Sequence, residues 1–85
     1  MGVSIMDAAT VFPEWVDVTT GSTVIWTNYS TSPQIVRSGT PEHPTPIFNA
    51  WLEPGKTFSH IFARSGTFEF FSGFQPSMRG RVTVR

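Results

Sequence analysis

The chain has 85 residues, with six Lys and Arg balanced by six Asp and Glu, and 39% of its residues are hydrophobic. This length allows one hydrophobic core and this apolar content argues against disorder, so we expect residues 1–85 to form a single domain. A net charge of zero removes the basic field that recruits nucleic acid, and the absence of cysteine excludes disulfides, thiolate nucleophiles and thiolate metal ligands.

Short stretches rich in Val, Ile, Thr and Phe alternate apolar and polar residues between turns marked by seven Gly and seven Pro. This alternation is typical of β-strands. The predicted strands cover residues 3–6, 15–18, 23–28, 34–38, 57–62, 67–71 and 81–85. About seven short strands in one domain indicate an all-β sandwich of two sheets or a small barrel.

The connections between these strands carry further predictions. Residues 39–54 contain four prolines and no sustained period, so they are predicted to be a long connection, attached to the core by Ile47, Phe48 and Leu52. Strands 57–62 and 67–71 flank a Ser-Gly turn signal and are predicted to form a hairpin.

Several single residues invite a functional interpretation. His43 is predicted to be an exposed loop residue, and His60 a core residue that shares a face with phenylalanines. Trp26 and Trp15 are predicted to pack in the core. For Trp51, the sequence does not distinguish a buried from an exposed side chain. The arginines of the last strand are predicted to line a solvated strand edge and not a ligand site.

Other classes of function lack support in the sequence. No apolar run approaches the roughly 20 residues that a membrane span requires. The start at Met1-Gly2 shows no basic stretch followed by an apolar one, so no signal peptide is expected in this chain. No serine hydrolase, phosphate-loop or zinc protease motif is present, and we expect no enzymatic activity.

Three segments together resemble the cupredoxins, the small blue copper proteins: residues 21–28 (GSTVIWTN), 66–71 (GTFEFF) and 76–84 (PSMRGRVTV). The resemblance covers nearly the whole chain and points to the amicyanin-like and plastocyanin-like branch. In this family a strand ending in Trp-x-Asn leads to a histidine ligand, and a later strand leads to Cys-x-x-His-x-x-Met. The resemblance implies a Greek-key two-sheet β-sandwich and, with copper bound, single-electron transfer.

The copper ligands of the family are carried over to four positions of this chain. The first histidine falls on Gln34, the cysteine on Ser72 and the second histidine on Gln75, while the axial methionine is kept as Met78. A thiolate is the strongest ligand of a blue copper centre, and a neutral hydroxyl and two amides suit copper poorly. We therefore predict that these positions bind no copper and that the chain has no cofactor.

The side chains at the three substituted positions are expected to form hydrogen bonds with one another. Because alternate residues of a strand face the same side, the Ser72 hydroxyl is expected to be buried. A buried hydroxyl without a hydrogen-bond partner costs about 1–3 kcal/mol. A hydrogen-bonded cluster of Gln34, Ser72 and Gln75 is the expected solution. The loss of ligands fits either a natural ligand-less variant or an engineered removal of the metal site.

The resemblance also implies how the domain meets other proteins. In the family an apolar rim surrounds the exposed histidine ligand, and here the rim would include Pro33, Phe74, Pro76 and Met78. A redox-protein partner could dock there. We further expect a monomer with no nucleic-acid partner, and a periplasmic or extracellular location.

Two alternatives remain open from the sequence. An atypical weak copper site, involving Met78, the two glutamines or a histidine, would preserve electron transfer. An immunoglobulin-like adhesion or carbohydrate-binding module would share the composition and strand rhythm, and would expose tryptophans. A cupredoxin, in contrast, places Gln34, Ser72, Gln75 and Met78 at one end of the sandwich.

Overall fold

The fold is seen in a computed structural model that describes residues 1–6, 10–74 and 78–85. These residues form nine strands and no helix, and therefore none of them forms a helix that is long and apolar enough to cross a membrane. The strands are β1 (Gly2–Met6), β2 (Thr10–Phe12), β3 (Trp15–Val18), β4 (Ser22–Asn28), β5 (Gln34–Gly39), β6 (Pro44–Leu52), β7 (Thr57–Phe62), β8 (Gly66–Ser72) and β9 (Arg79–Val84).

Two mixed sheets form the sandwich. Sheet 1 has the order β2-β1-β4-β7, and sheet 2 has the order β3-β9-β8-β5-β6. The pairs β1–β4 and β3–β9 are parallel and the other pairs are antiparallel. The predicted all-β two-sheet sandwich is confirmed, and it contains two strands more than the roughly seven expected.

Alternating residues of both sheets meet in one aromatic core. Trp26, fully buried on β4, has the rings of Phe48, Phe58, Phe62 and Phe70 around it at centroid distances of 5.2–6.5 Å. Its indole Nε1 is the one buried side-chain nitrogen or oxygen without a hydrogen-bond partner in the described part of the chain. The parity prediction for Trp26 is therefore correct.

The predicted long connection at 39–54 is wrong, because most of it is β6, which pairs with β5. The register shifts next to Ser38, whose hydroxyl accepts hydrogen bonds from the Ile47 and Phe48 amides at 3.1 and 3.0 Å. Prolines are tolerated because β6 is the outer strand of its sheet, where an amide can be missing. Phe48 and Leu52 are buried as predicted, but Ile47 is exposed.

The predicted hairpin of 57–62 and 67–71 is also wrong. Strand β7 pairs with β4 in sheet 1, whereas β8 pairs with β5 and β9 in sheet 2. The turn between β7 and β8 therefore crosses from one sheet to the other. A turn signal shows where the chain changes direction but does not identify the strand to which the next segment bonds.

The arginines of the last strand do not lie on a sheet edge, because β9 is between β3 and β8. They point to solvent from the outer face of sheet 2 and pair with carboxylates. The described ion pairs are Arg79–Glu42 at 3.0 Å, Arg81–Glu69 at 3.8 Å and Arg85–Asp17 at 3.1 Å.

Candidate functional site

Two of the predicted positions meet at the end of the sandwich where β5 begins and β8 ends. Gln34 is 1% exposed and Ser72 is 0% exposed. The Ser72 hydroxyl donates a hydrogen bond to Gln34 Oε1 at 3.0 Å. Both side chains point into the sandwich, because each lies on the inward-facing side of its strand and the two strands are antiparallel neighbours.

The hydrogen bonds continue from Gln34 into the loop that precedes β5. Gln34 Nε2 donates to Ser30 Oγ at 3.2 Å, and the Ser30 hydroxyl lies 2.6 Å from Asn28 Oδ1. Asn28 Oδ1 also accepts the Ser30 backbone amide at 2.9 Å. We call Asn28, Ser30, Gln34 and Ser72 the polar cluster; all four residues are buried.

Asn28 connects the polar cluster to two separate parts of the backbone. It is the last residue of β4 and has the inward parity of Val24 and Trp26. Its Nδ2 donates to the carbonyl oxygens of Ser32 at 3.0 Å and Leu52 at 2.9 Å. The side chain therefore ties the end of β4 to the following loop and to the end of β6.

Met78 lies buried beside the polar cluster. Its carbonyl oxygen accepts the Ser72 backbone amide at 3.0 Å, and the Gly73 amide donates to the Ile35 carbonyl oxygen at 2.9 Å. Gln34, Ser72 and Met78 therefore come together at one end of the fold. Gln75, the remaining predicted position, lies outside the described residues.

The donor set does not fit the copper centre that the resemblance implies. The described positions offer an amide, a hydroxyl and a thioether, and the amide oxygen of Gln34 already accepts the Ser72 hydroxyl. Copper is held in such centres by thiolate and imidazole, and neither is available from these side chains. The described residues contain no group of three or more His, Cys, Asp or Glu that could hold a metal ion.

The two histidines lie elsewhere in roles that need no ligand. His43 is exposed in the connection between β5 and β6, as predicted. His60 points inward from β7 with its ring centroid 5.2 Å from Phe48 and 4.8 Å from Phe62, as its strand parity predicts. The polar cluster itself contains no titratable side chain.

The predicted apolar rim is only partly present among the described residues. Phe74 is 51% exposed and packs edge-on against Trp51, which is 57% exposed, with ring centroids 5.3 Å apart. Pro33 is partly exposed. Met78 is buried and is not part of the rim, and Pro76 lies outside the described residues.

Asn28 and Ser30 were missed by the sequence interpretation. A signal for Asn28 exists: an asparagine with the same parity as two buried apolar residues must find partners inside the protein. Ser30 has no comparable signal because it lies in a loop without a period. The Gln34–Ser72 contact needed the family resemblance, because 38 residues separate the two side chains.

No protein-family model and no curated protein matches the chain, whereas solved structures match over its full length. A purple cupredoxin from Nitrosopumilus maritimus has a TM-score of 0.90 and 27% identity, covering 99% of this chain and 98% of its own. The reduced state of an amicyanin mutant has a TM-score of 0.84 and 25% identity, covering 100% of this chain and 81% of its own.

A Cu(I) form of another amicyanin mutant has a TM-score of 0.85 at 22% identity, again covering 100% of this chain and 81% of its own. That likeness supports the fold alone. The two more similar structures and the order of strands assign this sandwich to the copper-protein fold and not to an immunoglobulin-like module. The chain therefore has the cupredoxin fold and is similar to a purple cupredoxin and to the amicyanins.

Proposed function

We propose that this chain is a metal-free cupredoxin, in which the polar cluster takes the place of the copper centre and the domain acts by binding or structural support. The observation that carries the proposal is the 3.0 Å hydrogen bond from Ser72 to Gln34, at two positions where the family has a cysteine and a histidine. The proposal includes the absence of catalysis and of electron transfer.

The physical support is that the cluster is already satisfied without a metal. Each buried polar group left without a partner would cost about 1–3 kcal/mol. Gln34 and Ser30 pair with neighbours on both sides, so a metal at Gln34 would compete with existing hydrogen bonds. The ligands offered in return are neutral oxygens and one thioether, which bind copper weakly.

A copper titration tests this proposal. Titration with Cu(II), followed by visible absorption and electron paramagnetic resonance, should show no intense absorption band and no signal of a blue copper centre. The competing function, an electron carrier with an atypical weak site, predicts a saturable copper signal. Such a signal, lost on mutation of Met78 or Gln34, would contradict the metal-free proposal.

A matched variant shows whether the four positions are truly former ligands. The triple change Gln34→His, Ser72→Cys and Gln75→His restores the ligand set of the family around Met78. We expect this variant to gain an intense thiolate-to-copper absorption band that the parent chain lacks. Failure of a folded triple variant to bind copper would mean that these positions do not form a copper pocket.

The proposal extends to a partner and a location. We propose that the exposed aromatic pair Phe74 and Trp51 is a docking surface for a protein partner, outside the cytoplasm as in the family. Large exposed aromatic residues are common centres of protein interfaces. Phe74→Ala should weaken binding to that partner, whereas Phe12→Ala, a change at an exposed phenylalanine of sheet 1, should not.

A further inference from the structure

A second feature of the molecule is a groove on the outer face of sheet 2. It has a volume of about 220 Å³ and lies between β3, β8, β9 and the connection after β5. The residues that line it include Glu14, Trp15, Thr40, Glu69, Arg79 and Arg81. None of these residues belongs to the polar cluster or to the Phe74–Trp51 pair.

Trp15 provides the apolar surface of this groove. It was predicted to pack in the core, but it is 72% exposed because it points outward from β3, opposite to buried Val16. The Arg81 guanidinium carbon lies over one face of the Trp15 ring, 5.5 Å from its centroid, in a cation–π contact. Because the side chain is 72% exposed, the rest of the indole remains a flat aromatic surface that a ligand can reach.

Polar groups with unused hydrogen-bonding capacity surround the indole. The Arg81–Glu69 ion pair is 3.8 Å long, which is beyond hydrogen-bond distance, so both groups can still bond to a ligand. The Glu14 carboxylate has no hydrogen bond or ion pair within the described part of the chain. Donors and acceptors therefore both face the groove.

The charges of the groove favour a ligand without net charge. Two glutamates and two arginines line it, so their formal charges cancel. An aromatic face bordered by donors and acceptors without net charge matches a ring that has an apolar face and hydroxyl groups on its edge. The volume of about 220 Å³ is below the roughly 300–1,000 Å³ of drug-sized pockets, so one ring fills it.

We propose that this groove binds one ring of a neutral oligosaccharide, with the apolar face of the sugar stacked on the face of Trp15 that Arg81 leaves exposed. The sugar hydroxyls bond to the carboxylates of Glu14 and Glu69 and to the Arg81 guanidinium. The remaining rings of the saccharide extend into solvent across the open side of the groove. The binding site is independent of the proposed loss of copper.

Nuclear magnetic resonance of the ¹⁵N-labelled protein tests the proposal, because each tryptophan gives its own indole N–H signal. The probes are cellotriose, triacetylchitotriose and mannotriose. We expect at least one of them to shift the Trp15 signal saturably at millimolar concentrations. The signals of exposed Trp51 and buried Trp26 serve as internal controls and should not move.

Two matched variants decide whether Trp15 is the site. Trp15→Ala should weaken binding by at least about tenfold, which corresponds to about 1.4 kcal/mol, while Trp51→Ala should leave the affinity unchanged. Both residues are exposed, so both variants should keep the fold, which the amide spectrum verifies. Binding should also survive in the Gln34→His, Ser72→Cys, Gln75→His variant.

Three outcomes would overturn the proposal. One is that no probe shifts the Trp15 signal at concentrations up to tens of millimolar. A second is that Trp15 and Trp51 shift alike, or that Trp15→Ala binds as well as the parent chain. A third is that only charged sugars, glucuronate or glucosamine, bind, because that result contradicts a neutral ligand.

Discussion

At the scale of residues, the polar cluster shows how neutral side chains buried at one end of the sandwich satisfy one another. Ser72 donates to Gln34, and Gln34 donates to Ser30, so the side chains of Gln34 and Ser72 depend on each other. Such networks in a low-dielectric interior are favourable when complete and costly when interrupted. The stability of this end of the sandwich should therefore respond to the pair more than to either residue alone.

A double-mutant cycle tests this dependence. Ser72→Ala removes the donor to Gln34 Oε1, and Gln34→Leu removes its acceptor, so each change should lower the free energy of unfolding by about 1–3 kcal/mol. The double variant should lose less than the sum, because the hydrogen bond between Ser72 and Gln34 is counted in both single losses but is lost only once. Chemical denaturation of the four proteins measures the coupling, and additive losses would argue against a shared network.

The residues of the site were predictable to different degrees. Gln34, Ser72 and Met78 follow from the family resemblance, because the motif spacing carries them over position by position. The prediction for Trp15 was wrong. In a strand of only four residues, the alternation shows which side chains share a face but does not show which face is buried. Only the partner strands decide that question.

At the scale of elements, β6 shows the limit of local patterns. Its prolines and its irregular start hide a nine-residue strand that forms only through pairing with β5. Ser38 makes this pairing possible at the register shift, since its hydroxyl also donates to the Thr45 carbonyl oxygen at 2.8 Å. The alternating strands β4 and β7, in contrast, were predicted almost to the residue.

Removal of this hydroxyl should weaken the start of β6. Ser38→Ala leaves the Ile47 and Phe48 amides without their acceptor, and we expect a loss of about 1–3 kcal/mol in the free energy of unfolding. Ser59→Ala, a matched change at an exposed serine of β7, should cost less than about 0.5 kcal/mol. Equal effects in thermal unfolding would mean that the hydroxyl does not support the bulge.

A second element-scale prediction concerns Gly80 of β9, which lies opposite Phe70 of β8. A Cβ at Gly80 would lie 2.2 Å from Phe70 Cζ and 2.6 Å from the Glu14 carbonyl oxygen. Because the latter is backbone and cannot move freely, Gly80→Ala should destabilise the protein by about 1–3 kcal/mol.

The control for this prediction is Gly2→Ala in β1. There the new Cβ would meet only the Ile25 carbonyl oxygen, at 4.0 Å, which is an ordinary contact. The control variant should unfold at the temperature of the parent chain or slightly above it, because alanine narrows the unfolded ensemble. A Gly80→Ala protein as stable as this control would show that β3 and β8 can separate without cost.

At the scale of the whole molecule, the sheet edges are protected against pairing between chains. Strands β2 and β3 have only three and four residues, and β6 carries Pro44 and Pro46. The outer strands β6 and β7 lie next to each other on the same side of the sandwich. This arrangement supports the expectation of a monomer.

Sedimentation velocity checks that expectation. The parent chain should sediment as one species of 9.5 kDa over a wide range of concentrations. Replacing both Pro44 and Pro46 with Val restores two amides on β6 and should introduce concentration-dependent association. A parent chain that dimerises at micromolar concentration would contradict the monomer.

The position of β9 has a consequence for how the protein is made. Sheet 2 contains β9 between β3 and β8, although β9 is the last of the nine described strands to be synthesised. While residues 79–84 are still inside the ribosome, the edges of β3 and β8 that pair with β9 have no partner, and a slot separates the two parts of sheet 2. A protease that clips the chain before Arg79 would leave the same slot open, and another chain could fill it with its own strand.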